Sequence, residues 1–142
     1  MSTRSTISVL CRDGLVRTVY CHQDSNLQHN GRILAEYYNS RDAAEALVAP
    51  GNMHYLRPRC DRPGHCEETP AEGVTLYYRD CWSPSHIDAG AYHAARVYPD
   101  TDTALAEEDC PVIGHHYVYD GSRWFIRQLT VRRSWMEIPA FT

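Results

Sequence analysis

Ile7, Val9 and Cys11 alternate with polar neighbours, and beyond Asp13-Gly14 the alternation resumes at Val16, Thr18 and Tyr20. A period of two on both sides of an Asp-Gly pair predicts a β-hairpin that pairs residues 5–11 with 15–21. The period then changes. In "GRILAEYY", Ile33, Leu34, Tyr37 and Tyr38 make a helical stripe with Asn30 as the expected N-cap. "NSRDAAEALVAPG" repeats the design. Asn39 or Ser40 caps, Asp42 lies in the first turn, Ala43, Ala44, Leu47 and Val48 face inward, and Pro50-Gly51 ends the helix.

Further along, the pattern loosens and then sharpens. Residues 57–73 carry three prolines and two glycines and read as an irregular excursion. "VTLYYRD" reads as a short strand, residues 81–100 as a loop with one helical turn, and "DTALAEED" as a short acidic helix. "HHYVYDGSRWFIRQLTV" is a second hairpin turning at Asp120-Gly121, and the tail "RRSWMEIPAFT" is apolar enough to dock. This order predicts an α+β fold: a single, mainly antiparallel β-sheet with two or three helices packed on one face. Residues 1–142 form one domain, with no repeat and no linker.

Composition narrows the function classes. The chain has 142 residues, enough to bury a core without staples, and its net charge of −4 does not favour a nucleic-acid backbone. All fourteen cationic residues are Arg. Arginine suits bidentate carboxylate or phosphate contacts, but with Ala, Asp and His also plentiful, a GC-rich codon bias explains the choice as well. No apolar run reaches the length of a membrane span, and "MSTRSTISVL" lacks the apolar core of a secretory signal, so a cytoplasmic location is expected. The six cysteines are then expected as thiols rather than structural disulfides.

Four constellations carry candidate chemistry. His22 and Asp24, two apart on an extended chain, share a side, and a carboxylate beside an imidazole is the arrangement of a general base; local turn bonding is the bland alternative. In "HNGR" (29–32), open backbone N–H groups and Arg32 suit a phosphate or carboxylate, against the plain reading of a turn and an N-cap. Together, His22, Asp24, Asn26, Asn30 and Arg32 with Arg79 and Asp80 of "YYRD" make the candidate ligand surface. Arg32 and Arg79 would sit on phosphates and aromatic rings would stack on a base. Cys60, His65 and Cys66, with Cys81 and His86 downstream, offer soft ligands for zinc, but the spacing of "CDRPGHC" is wider than a usual knuckle, so no cofactor is expected. Lastly, Tyr117, Tyr119, Trp124 and Ile126 belong either to the core or to a stacking platform, and without a basic groove nucleic acid is not the expected partner.

The order "MSTRSTISV", "VYCHQD", "NGRILAEYY", "PAEGVTLYYRD", "HHYVYDGSRWFIR" resembles a family of small, mostly uncharacterised proteins encoded by tailed bacteriophages and prophages. The resemblance spans most of the chain, with "TRS" and "YCH-x-D" carrying most of it. Two segments depart from it. The family has an aromatic and a glycine around Gln23 and Ser25, and another Arg, a Gly and an acid after Arg79-Asp80, where this chain has "CWSP". The resemblance implies a small, non-structural phage protein that acts by binding in the host cytoplasm, blocking a host protein or defence complex or sequestering a signalling nucleotide. It supplies no catalytic residues. Glu107, Glu108 and Asp109 with Trp135 and Phe141 are candidate partner surfaces, homo-oligomerisation fits a shared pocket, and a zinc or His/Asp hydrolase ranks last.

Overall fold

Asp13-Gly14 and Asp120-Gly121 turn the chain as their sequence demands, with Gly14 and Gly121 in the left-handed region (φ 84° and 101°). A computed structural model describes residues 3–60, 73–78, 94–110, 113–128 and 132–138. The first turn joins β1 (Ser5–Leu10) to β2 (Val16–Cys21) in the register Ser5↔Cys21 to Leu10↔Val16. The second joins β6 (His115–Tyr119) to β7 (Trp124–Gln128), with Tyr119↔Trp124 next to the turn. β8 (Arg132–Glu137) pairs with β7, so the start of the C-terminal segment docks as a strand.

The two hairpins join through β1 and β6, which run parallel in register from Ser5↔His115 to Val9↔Tyr119. β3 (Met53–Tyr55) pairs parallel with the end of β2 through Cys21↔Met53, and β4 (Leu76–Tyr77) pairs antiparallel with β3. The strand order is β4-β3-β2-β1-β6-β7-β8, and β5 (Arg96–Tyr98) pairs with β2 at Val16–Thr18. β5 replaces the loop expected there. The sheet is mainly antiparallel, and the class is α+β as the sequence indicates.

Among the described residues, three helices accompany the sheet: α1 (Arg32–Tyr37), α2 (Arg41–Val48) and α3 (Thr101–Glu107). Leu34, Tyr38, Ala44, Leu47 and Val48 from the first two pack against Ile7, Val9, Val19, Tyr117, Tyr119, Trp124 and Ile126 in one core. The second hairpin's rings are therefore core, not a stacking platform. α3 lies over the opposite face, where Arg127 Nη2 donates to the Leu105 carbonyl at 3.2 Å. β1 is covered on both sides, and Ser5, Thr6 and Ser8 are buried alongside Ile7 and Val9. Alternation of character along β1 thus does not mark a wet face.

Caps behave as their chemistry requires. The Ser40 hydroxyl accepts from the Ala43 N–H at 3.2 Å, and Asp100 accepts from Thr103 at 2.7 Å. Ser40→Ala is expected to lower unfolding free energy by about 1 kcal/mol, read as a shifted urea midpoint at unchanged slope. A variant indistinguishable from wild type would show that α2 is held by its packing alone. The first helix departs from expectation. Asn26, not Asn30, caps a wide π-type turn (Leu27–Gly31) that feeds α1, accepting from the His29 N–H at 3.0 Å.

Candidate functional site

Residues 19–40 pass from a strand through a turn to a helix, and they end in two different places. The loop folds inward over the apolar face. Asn30, fully buried, donates through Nδ2 to Cys21 Sγ (3.4 Å), the Gln23 carbonyl (3.3 Å) and Ser25 Oγ (3.3 Å). Its Oδ1 lies 2.8 Å from His29 Nδ1, and Tyr117 donates its hydroxyl to the Ser25 carbonyl at 2.6 Å. Asn30 thereby satisfies the loop's polar groups internally. Burial pushes the Cys21 thiol up to about 11, which leaves it protonated and unreactive at neutral pH.

The other sequence candidates separate. Asp24 takes a left-handed conformation (φ 57°), so His22 and Asp24 do not sit along one extended segment. Asp24 is exposed, and His22 Nδ1 meets the Tyr20 hydroxyl at 2.7 Å. Asn26 is the cap of the π-type turn. Arg32 pairs with Glu36 on the exposed side of α1 at 3.0 Å. Arg79 and Asp80 lie outside the described residues, as do His65, Cys66, Cys81 and His86 of the zinc reading. Cys60 is half-buried against the core. Among the described residues no three His, Cys, Asp or Glu side chains gather as metal ligands.

What the fold does assemble is a ledge of rings on the face opposite the apolar core. Tyr20 alternates with core residues Val19 and Cys21, His54 follows core Met53, and Tyr78 follows core Tyr77, so all three face away from the core. The Tyr20 and Tyr78 rings are nearly parallel (14°) with centroids 6.5 Å apart. His54 sits 3.9 Å from Tyr78, and His22 lies 5.8 Å from Tyr20. Asn52 holds the strands in place: its Oδ1 accepts from the Tyr20 N–H at 2.8 Å and its carbonyl accepts from the Tyr78 N–H at 3.1 Å. All four rings are half-buried. Burial pushes the Tyr20 phenol up, against an opposing pull from the nearby Arg4 guanidinium.

The sequence reading set a pocket between the 22–32 segment and "YYRD"; the rings that Tyr78 is described against are Tyr20, which precedes that segment, and His54. The sequence offered no signal for His54, which lies on a three-residue strand with no readable period. Asn52 was equally silent, because its role is set by the strands on either side.

Farther along the same face lies a sealed polar layer. Ser8 Oγ is 2.8 Å from His116 Nε2 and 2.7 Å from Thr18 Oγ1, and all three residues are fully buried. A serine hydroxyl against an imidazole is a nucleophile-base contact, but a substrate has no access to a fully buried Ser8 in the middle of a central strand. Glu108 accepts from Arg96 Nε (2.6 Å) and Nη2 (3.0 Å) and from the Tyr98 hydroxyl (2.6 Å). Glu108 is therefore not part of an acidic surface. Burial alone would raise its carboxyl, yet the hydrogen bonds from Arg96 and Tyr98 hold it below the usual range. Trp135 is likewise occupied, 5.4 Å edge-on to His116 and 5.0 Å beneath the Arg127 guanidinium. Between α3 and the second hairpin, Leu105, Val118, Phe125 and Trp135 help to line a small apolar cavity of about 170 Å³.

No protein-family model, no curated protein and no solved structure matches the chain. Among the described residues no helix is long and apolar enough to cross a membrane.

Proposed function

We propose that the protein is a tailed-phage accessory protein that acts by binding rather than turnover. It engages a component of the host's defence in the cytoplasm of the infected cell and neutralises it. The partner is a host protein or defence complex, or a nucleotide signal on which that defence depends. One observation carries this reading: the half-buried ledge of Tyr20, His22, His54 and Tyr78, with the backbones of Tyr20 and Tyr78 joined through Asn52. Tyrosine and histidine offer large contact area with a polar edge and few rotatable bonds, so fixing them costs little entropy on binding. The groups that would serve turnover are engaged elsewhere. Ser8 and His116 are sealed in, the Cys21 thiol is held protonated, and His22 is bonded to Tyr20. The resemblance in motif order supports the phage context.

Immobilised full-length protein and its Tyr78→Ala variant, each passed over bacterial lysate, provide the test. Tyr78 is half-buried and outside the apolar core, so the variant is expected to keep its fold, checked by its melting transition. A host factor retained by wild type and depleted roughly tenfold on the variant is the expected result. Equal retention on both proteins would remove the ledge from the function.

A further inference from the structure

The ledge has two chemically different ends. At one end Tyr78 and His54 present contacting rings, 3.9 Å between centroids. At the other, the Tyr20 hydroxyl meets His22 Nδ1 at 2.7 Å, and Arg4, one residue ahead of the Ser5↔Cys21 pair, lies at this end of β2, where its charge opposes the burial that pushes the phenol up. The Tyr20 ring spans the distance between them, 6.5 Å from Tyr78 by centroids. Arg4 is exposed and, among the described residues, shows no carboxylate partner, as is also so of Arg41 and Arg57 away from the ledge, whereas Arg12, Arg17, Arg32, Arg96 and Arg123 are paired. On a chain of net charge −4, attraction for an anion has to be local, and an uncompensated guanidinium supplies it.

We infer that the ledge binds a nucleoside phosphate. The base stacks on Tyr78 and His54, the sugar lies across Tyr20, and the phosphate meets Arg4 with His22 beside it. Stacking tolerates any base because every base has a π-face, so selectivity rests on the phosphate and on the distance separating it from the ring. An aryl phosphate without a sugar is too short to reach both ends, since its ring and phosphate are adjacent. This inference rests on the reading of the protein as a binder acting at the ledge, and it narrows the neutralised component to a nucleotide.

Calorimetric titration of the full chain with AMP, adenosine and inorganic phosphate tests it. AMP is expected to bind saturably, and adenosine roughly tenfold more weakly. Arg4→Gln is expected to remove the difference between AMP and adenosine. Tyr78→Ala is expected to weaken both roughly tenfold, and Tyr78→Phe to keep both near wild type. Arg12→Gln, which alters an exposed arginine paired with Asp42 elsewhere on the surface, should change neither. The inference is overturned if AMP, GMP, CMP and UMP all fail to bind at millimolar concentration, or if binding ignores both Arg4→Gln and Tyr78→Ala. Should lysate capture still depend on Tyr78 while no mononucleotide binds, the nucleotide falls and the ledge stands as a surface for a macromolecule. Should capture also ignore Tyr78, both readings fall.

Discussion

Tyr117→Ala is expected to lower unfolding free energy by about 4 kcal/mol, a large part of what a domain of this size possesses. Tyr117 is among the largest side chains with no exposed surface, and it stands at the centre of the core between Ile7 on β1 and Ile126 on β7. Truncation leaves a ring-sized void where α1, β1, β6 and β7 meet, and close-packed neighbours relax into such a void only in part. It also strips the Ser25 carbonyl of the 2.6 Å hydrogen bond that ties the 22–31 loop to the sheet. Tyr117→Phe separates the two contributions, because it keeps the ring and removes only the hydroxyl, at about 1 kcal/mol. Urea denaturation of wild type and both variants gives the three values. If Tyr117→Ala falls within about 1 kcal/mol of wild type, the core is not organised around this ring.

Acid is expected to destabilise the fold before its carboxylates titrate, and His116 is the reason. Burial, with the Arg127 charge beside it, lowers its pKa from 6.5 to about 4. The remaining neighbours on that face are Glu108, Arg96 and Asp109, with Ser8 on Nε2 and Trp135 against the ring. Above pH 6.5 the imidazole is neutral in both states and contributes its full share. Between pH 6.5 and 4 the unfolded chain binds a proton that the folded chain does not, so stability rises with pH and is lost as pH falls. Integrated over that interval the loss is about 3 kcal/mol. His115, lowered mainly by burial, acts in the same direction. Glu108, held low by Arg96 and Tyr98 against its burial, adds its own loss only as pH falls through the ordinary carboxylate range. Denaturation midpoints at pH 7.5, 6.0 and 5.0 should fall steadily in wild type, and the slope should flatten in His116→Gln. A wild-type midpoint constant across that range would show that His116 is protonated in place.

Local features translated directly into structure. Asp13-Gly14 and Asp120-Gly121 turned where their dipeptides demanded, because φ > 0 is a property of one residue. Ser40 capped α2, and Ala44, Leu47 and Val48 went inward, because a cap and a stripe are settled within two turns of chain. Asn30 departs from its expected capping place for a matching reason. Its residue type suits a cap, but Asn26 started the turn earlier and left Asn30 buried among Cys21, Gln23 and Ser25. His22 and Asp24 looked paired only on the assumption of an extended chain, which the left-handed Asp24 breaks.

The α+β class, both hairpins, the helical segments and the inward set of α2 were legible along the chain, since each depends on dihedral preferences and periodicity within a dozen residues. Long-range packing set β1 against β6 more than a hundred positions away, closed β5 onto β2, and filled the face beneath α3 with hydroxyls and His116. It alone brought His54 and Tyr78 beside Tyr20. Strand pairing at long separation is chosen by which buried surfaces fit and which hydrogen bonds close, and neither quantity is written in the period of any single segment.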